Sequence, residues 1–425
     1  MRISSSLIGL IVGLIGTMST QIVVAQAVEN VLDHPKLRDG LPHFFSRLEA
    51  GDSVTIAFLG GSITAAAEGW RDQTITWLQH RFAAATIKQV NAGVGGTGSD
   101  LGVFRLKKDV LVHAPDLVYV EFAVNDNGKS QEIVRRAMEG VVRQVRAANP
   151  SADICFVYTL TADMAPVLGE GRLTNTIENM ERIADHYGLP SVFMGREVIR
   201  KFRNNTLVFR GELDEYPGKM VFSKDGVHPY PATGHRLYTN ELTHTMLALQ
   251  PVGKPTVREL PMALDPSNWE DATLVTPDEL IQQGHWEQIA DSDTILPAYL
   301  KKAFPQLLRG AADDQPTASI TFEGRAVGLY DIVGPGTGQL AIYIDGQLVE
   351  KRTRFDRYAT YYRPQYFLLP EIPAGKHTVR FRVLHESIDK VGILGDKALA
   401  EGERQAYERA DVYIGYVMLL GGLTQ

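Results

Sequence analysis

Over the first 250 positions the chain alternates between runs of apolar residues and stretches with helical spacing. Ser53-Val54-Thr55-Ile56-Ala57 is β-branched and apolar, is bounded by Gly51-Asp52, and predicts a buried strand. Asp116 to Phe122 is apolar apart from Glu121, and Asp153 to Leu160 and Ser191 to Met194 predict two further strands. A shorter one leads to Asn91. Between them the period becomes helical. Residues 28–50 predict a helix with a loop, and Gln73 to Phe82 carries Ile75, Trp77, Leu78 and Phe82 at helical spacing. Another helix precedes Asp116, and Ile133 to Ala148, Leu173 to Tyr187 and Ala232 to Leu249 predict three more. Near-continuous apolar strands alternating with helices predict a parallel sheet covered on both faces. Sites in such sheets form at the carboxyl ends of the strands.

The pattern changes after a proline-rich stretch, 250–266, that contains Pro251, Pro255, Pro261 and Pro266 and reads as a linker. Helical content is expected over Asp278 to Gln283 and Leu296 to Leu308. Short alternating strands follow at 318–322, 326–330, 339–344, 377–383 and 412–417, with a type I′ hairpin signal at Asp345-Gly346 and a turn at Pro373 to Lys376. This half predicts an antiparallel β-sandwich of jelly-roll type. The division is therefore 1–27, 28–249, 250–266 and 267–425.

Residues 1–27 are a targeting segment by composition. Arg2 supplies a positive start, Leu7 to Ile15 is apolar, and Ala25-Gln26-Ala27 fits a small-residue cleavage site before Val28. The apolar run is short for a membrane span, so no stable membrane anchor is expected. The single cysteine, Cys155, lies in an apolar strand and is expected to be buried. Export without disulfides predicts a periplasmic or extracellular protein. A net charge of −7 with 22% charged residues lacks the basic face that nucleic acid requires.

Candidate chemistry sits where strands end. Phe58-Leu59-Gly60-Gly61-Ser62 presents a hydroxyl at a sharp turn, Asn91 to Ser99 is a glycine-rich loop, and Asn125 follows the strand at 116–122. Asp225-Gly226-Val227-His228-Pro229 places a carboxylate three residues before an imidazole. Together they supply what acyl transfer needs: Ser62 as nucleophile, His228 as general base and acid, and Asp225 to orient the ring. The Ser62 and Gly96 amides and the Asn125 side chain can form an oxyanion hole. The glycine loop does not fit dinucleotide-binding spacing, and His113, His186, His235 and His244 have no acidic partner at metal-ligand spacing, so neither cofactor nor metal is expected. Trp70 and Arg71 are candidates for the substrate pocket or for simple packing.

Ser62, Gly96, Asn125 and His228, in this order and context, resemble the four blocks of SGNH (GDSL-like) hydrolases over about residues 54–249. The resemblance implies a flavodoxin-like α/β/α sandwich, a Ser-Asp-His triad without metal, and ester hydrolysis. The family usually has Asp before the serine, where this chain has Gly61. Gly96 stands five residues after Asn91, as in the family, although Gly93 and Gly95 compete for the oxyanion role. The second half is similar to β-sandwiches attached to extracellular carbohydrate esterases. Its Tyr358, Tyr361, Tyr362 and Tyr366 form a sugar-stacking surface or an ordinary aromatic cluster. The reading is an exported serine esterase acting on an acetylated glycan. The alternatives are a lipase or thioesterase-like acyl hydrolase, marked by a deep apolar channel beside Ser62, and a non-catalytic glycan-binding protein with a vestigial site.

Overall fold

The computed structural model describes residues 30–395 and 404–424. The targeting segment and the start at Val28 lie outside the described residues. Five parallel strands form the first sheet: β1 (Ser53–Gly60), β2 (Thr86–Gly93), β3 (Leu117–Glu121), β4 (Asp153–Tyr158) and β5 (Ser191–Phe193), in the order β2-β1-β3-β4-β5. β3 and β4 are buried along their whole length, as their unbroken apolar runs predict, and Cys155 is buried among them. β2 is an edge strand and is more exposed. The helices Ser99–Asp109, Gln131–Ala148 and Asn175–Tyr187 pack in series, and Trp70–Arg81 packs against Arg236–Leu249. This is the α/β architecture expected.

Register places the site. Gly60 of β1 pairs with Gly93 of β2 and with Glu121 of β3, so three strands end in one row. The buried Arg105 guanidinium secures that row, donating to the carbonyls of Ala92 (2.6 Å) and Gly60 (3.0 Å). A small parallel pair, β6 (Leu207–Arg210) and β7 (Met220–Ser223), was not legible in the sequence because each strand is only four residues long. It carries the Asp225–His228 loop. The helix expected from Ala232 begins at Arg236, after one wider turn over 231–235. Gly234 packs there with no room for a Cβ against Phe222 and Pro229.

Among the described residues, the second half is built of antiparallel sheets of eight and three strands. Its axis is one 17-residue strand, Thr317–Val333, where the sequence reading expected two strands. In place of the gap expected between 322 and 326 there is a register shift between Gly324 and Ala326. A Cβ on Gly324 would lie 2.2 Å from the Leu420 carbonyl, so glycine lets the strand bend without ending. Conversely, the strand expected at 412–417 divides at Gly415, which packs on Phe304. Asp345 and Gly346 both have positive φ (51° and 82°), as the type I′ turn requires. The expected helical stretches shrink to one turn at Pro277–Glu279 and the helix Ala298–Ala303, stopped before Phe304-Pro305.

Residues 251–268 form neither helix nor strand, yet they are a pinned strap rather than a free linker. Buried Glu139 accepts the amides of Leu264 (2.6 Å) and Asp265 (2.9 Å), and Arg258 pairs with buried Asp153 at 3.1 Å. The apolar core of the α/β half continues into Trp269, Phe304, Tyr330 and Tyr416 of the second half. Trp269 packs tilted on Phe104 across the boundary (ring centroids 5.9 Å), and within the second half Phe304 meets Tyr330 edge-on (4.7 Å). Burying each such ring is worth about 1.5–3 kcal/mol, so apolar contact holds the two halves together.

Candidate active site

Each functional side chain is set by local constraints that can be named. Ser62 opens the short helix Ser62–Ala65 directly after β1. The turn is braced from below by Glu121, fully buried at the end of β3, which accepts from Thr64 Oγ1 (2.9 Å) and Thr159 Oγ1 (2.5 Å). Burial pushes the Glu121 carboxyl up, against the pull of those donors and of the Gly61 amide. On the opposite loop, Ser223 Oγ donates to Phe209 (2.8 Å) and accepts the Gly226 amide (2.7 Å). Gly226 takes a φ of 84°, which a Cβ would strain. That turn delivers Asp225 and His228 to one side.

The result is a relay. Asp225 Oδ2 lies 2.7 Å from His228 Nδ1, and His228 Nε2 lies 2.9 Å from Ser62 Oγ. A carboxylate only accepts, so Nδ1 must carry the proton and Nε2 is left to accept from the serine hydroxyl. Asp225 Oδ1 accepts the amides of Val227 and His228, both at 2.8 Å. Partial burial would raise the Asp225 carboxyl, but the donors from His228 and Val227 outweigh it and hold it at about 2. It is therefore ionised at neutral pH. Asp225 and His228 side chains are about half exposed, at 50% and 54%.

Ser62, Gly95, Gly96, Asn125 and His228 line one cleft of about 840 Å³. Gly93 is explained by packing, since a Cβ would sit 2.5 Å from the Ala65 amide nitrogen. Gly96 instead has a left-handed φ of 72° with open space beside it, and a Cβ on Gly95 would lie 3.7 Å from the Ser62 side chain, an ordinary contact. Asn125 Oδ1 is buried without a donor, which leaves the amide nitrogen as its end toward the cleft. The same Oδ1 accounts for Gly61: a Cβ there would lie 1.9 Å away. The position has no room for the aspartate usual in the family while Asn125 holds this pose. Gly61→Ala is expected to displace Asn125 and lower kcat by about 10²-fold, the scale of one lost oxyanion donor, with little change in KM. Steady-state kinetics on a small ester would check it.

Two site expectations fail. Trp70 is fully buried, 5.3 Å from Phe58 and 6.0 Å from Tyr119, with its amide donating to His235 Nδ1. Arg71 is 6% exposed and bonds the Thr64 and Ala66 carbonyls and Asp72. Both belong to packing, and neither lines the cleft. The far wall comes instead from the second half: Tyr299, Ala303, Tyr330, Tyr358, Tyr361, Arg363 and Pro364. The tyrosine group expected as one surface is split. Tyr358 and Tyr361 face the cleft, Tyr362 packs on Tyr413, and Tyr366 crosses to Asp100. A second hollow of about 780 Å³ adjoins the cleft, sharing Gly93, Val94, Tyr299, Ala303 and Tyr330, and follows the edge strand β2. A further hollow of about 940 Å³, beside Lys107 and Gln144, holds none of the relay residues.

Residues 58–237 match the family model of the GDSL-like Lipase/Acylhydrolase family. This domain belongs to that family. The matched stretch of the GDSL-like domain takes in the serine turn, the glycine loop, Asn125 and the Asp225–His228 loop. In fold, both halves are similar to a two-domain esterase (CEX) active on acetylated mannans. Its structure co-crystallised with mannopentaose aligns over 92% of this chain and 97% of its own, at 20% identity and TM-score 0.70. A second structure of such an esterase aligns over 93% and 99%, at 20% identity and TM-score 0.71. No curated protein matches the chain in sequence.

Proposed function

We propose that the chain is a serine esterase that removes O-acetyl groups from a polysaccharide or oligosaccharide. Ser62 attacks the ester carbonyl while His228 takes its proton, and Asp225 stabilises the imidazolium. The Ser62 and Gly96 amides and Asn125 Nδ2 receive the oxyanion. His228 then protonates the leaving sugar hydroxyl, and water, activated by the same ring, hydrolyses the acyl-enzyme. The observation that carries the glycan reading is the composition of the cleft. A GDSL-like relay faces Tyr358 and Tyr361, which are 50% and 59% exposed, and Tyr299 at 54%. Flat rings with polar rims suit sugar faces. The adjoining hollow along β2 gives a chain room to continue past the reacting residue. The likeness in fold to an esterase active on acetylated mannans supports the same class. Export through residues 1–27 is part of the proposal and rests on their sequence.

Tyr361→Ala is expected to raise KM for an acetylated oligosaccharide by about 10-fold, the scale of a stacked ring, while leaving 4-nitrophenyl acetate turnover within about two-fold. Acetate release with both substrates is the measurement. Equal KM for the oligosaccharide in parent and variant would remove the ring from the substrate site.

A further inference from the structure

One hydroxyl group of the second half reaches the segments behind the cleft. Tyr366, on the strand Arg363–Leu368, donates to Asp100 Oδ1 at 2.7 Å and accepts from Lys129 Nζ at 3.1 Å. Lys129 also bonds Asp100 directly and lies 3.5 Å from Asp126 Oδ1. Asp126 is fully buried, and its Oδ1 accepts the Ser99 amide at 3.0 Å. The Asp126 carbonyl accepts from the Lys129 amide (2.9 Å) and from Thr176 (3.2 Å).

These bonds join two segments of the site. Ser99 starts the helix that the Gly95-Gly96 loop runs into, and Asp126 directly follows Asn125. Gly98 lies in the middle of the junction. A Cβ on it would fall 2.1 Å from Asp126 Oδ1 and 2.4 Å from Lys129 Nζ, so the loop is drawn onto the network without slack. Two carboxylates share one ammonium here, and burial raises Asp126 to about 6 in spite of Lys129. The Tyr366 hydroxyl adds a donor to Asp100 and leaves Lys129 placed between both acids. Removing it leaves Asp100 one donor short and Lys129 one acceptor short, which loosens the ammonium that lies between Asp100 and Asp126.

We infer that Tyr366 is a positioning residue for the oxyanion-binding groups, through which the second domain takes part in acyl transfer as well as in holding substrate. This rests on Gly96 and Asn125 being the oxyanion donors. Donors of that kind work only at set distances, and a shift of about 1 Å is enough to cost up to 10²-fold.

The test is Tyr366→Phe in the full chain, which removes only the hydroxyl, assayed with 4-nitrophenyl acetate beside Asn125→Ala. The expected result is a fall in kcat of about 10-fold or more with KM within about two-fold. Amide hydrogen exchange over Gly96–Ser99 should rise about 10-fold while β3 stays as protected as in the parent. Unchanged kcat and unchanged exchange in that loop overturn the inference. A loss of protection throughout β3 also overturns it, because the hydroxyl is then a general stability element. If Asn125→Ala leaves kcat unchanged, the oxyanion assignment itself falls and the inference with it. A loss in Asn125→Ala with none in Tyr366→Phe overturns the inference alone.

Discussion

Ser62→Ala is expected to lower kcat on 4-nitrophenyl acetate by on the order of 10⁶-fold while the fold and KM are retained. The hydroxyl lies 2.9 Å from His228 Nε2, placed to become a nucleophile when the ring takes its proton. Nothing structural leaves with it, because the turn is held by Glu121, Thr64 and Arg105 rather than by Ser62 Oγ. His228→Ala is expected to fall as far, and the double variant hardly further, since nucleophile and base act as one unit. Pre-steady-state and steady-state assays with matched thermal melts check this. A residual rate within about 100-fold of the parent would mean that another group attacks the ester.

Asp225→Asn is expected to cost about 10³–10⁴-fold in kcat, with the higher figure holding for a fully enclosed triad. The asparagine keeps the shape, but its NH2 end can face the ring, which turns the imidazole to the wrong tautomer. Nε2 then carries the proton and cannot accept from Ser62. Two features of this site set the size. Asp225 Oδ1 is held by two backbone amides at 2.8 Å, so the substituted side chain keeps its oxygen there and presents nitrogen to His228. Half the side chain is exposed, so water can partly take over the acceptor role, which favours the lower end of the range. A kcat/KM profile against pH distinguishes this from unfolding. The parent carboxylate, held at about 2, contributes no break in the working range.

Much of this site was legible because each element is local in sequence. A serine after a β-branched run, and an Asp and a His three residues apart ahead of a helix, fix their own geometry through backbone turns. The register that aligns Gly60, Gly93 and Glu121 follows from the same strands. What was not legible depends on partners far away in the chain. Glu121 was visible only as one acid in an apolar strand, and its two hydroxyl donors lie 57 and 38 residues from it. Tyr366 and Asp100 are 266 residues apart. Trp70 and Arg71 were misplaced because nearness to Ser62 along the chain says nothing about direction. The helix Trp70–Arg81 turns its first residue inward onto Phe58 and Tyr119. In the second half, the stretch around Gly324 falls between two expected strands, whereas Gly415 falls inside one. Only the neighbouring carbonyl at Leu420 and the ring of Phe304 decide which glycine bends a strand and which one ends it.

The central claim is that Ser62 removes acetyl groups from a sugar chain held between the two halves. Its most direct test is acetate release from acetylated mannan and acetylated xylan, beside a long-chain acyl ester, by the parent and by Ser62→Ala. The account predicts release from at least one acetylated glycan by the parent, loss of it in the variant, and slow turnover of the long-chain ester. Rapid cleavage of the long-chain ester with no acetate from any glycan would contradict it and identify a lipase-like acyl hydrolase.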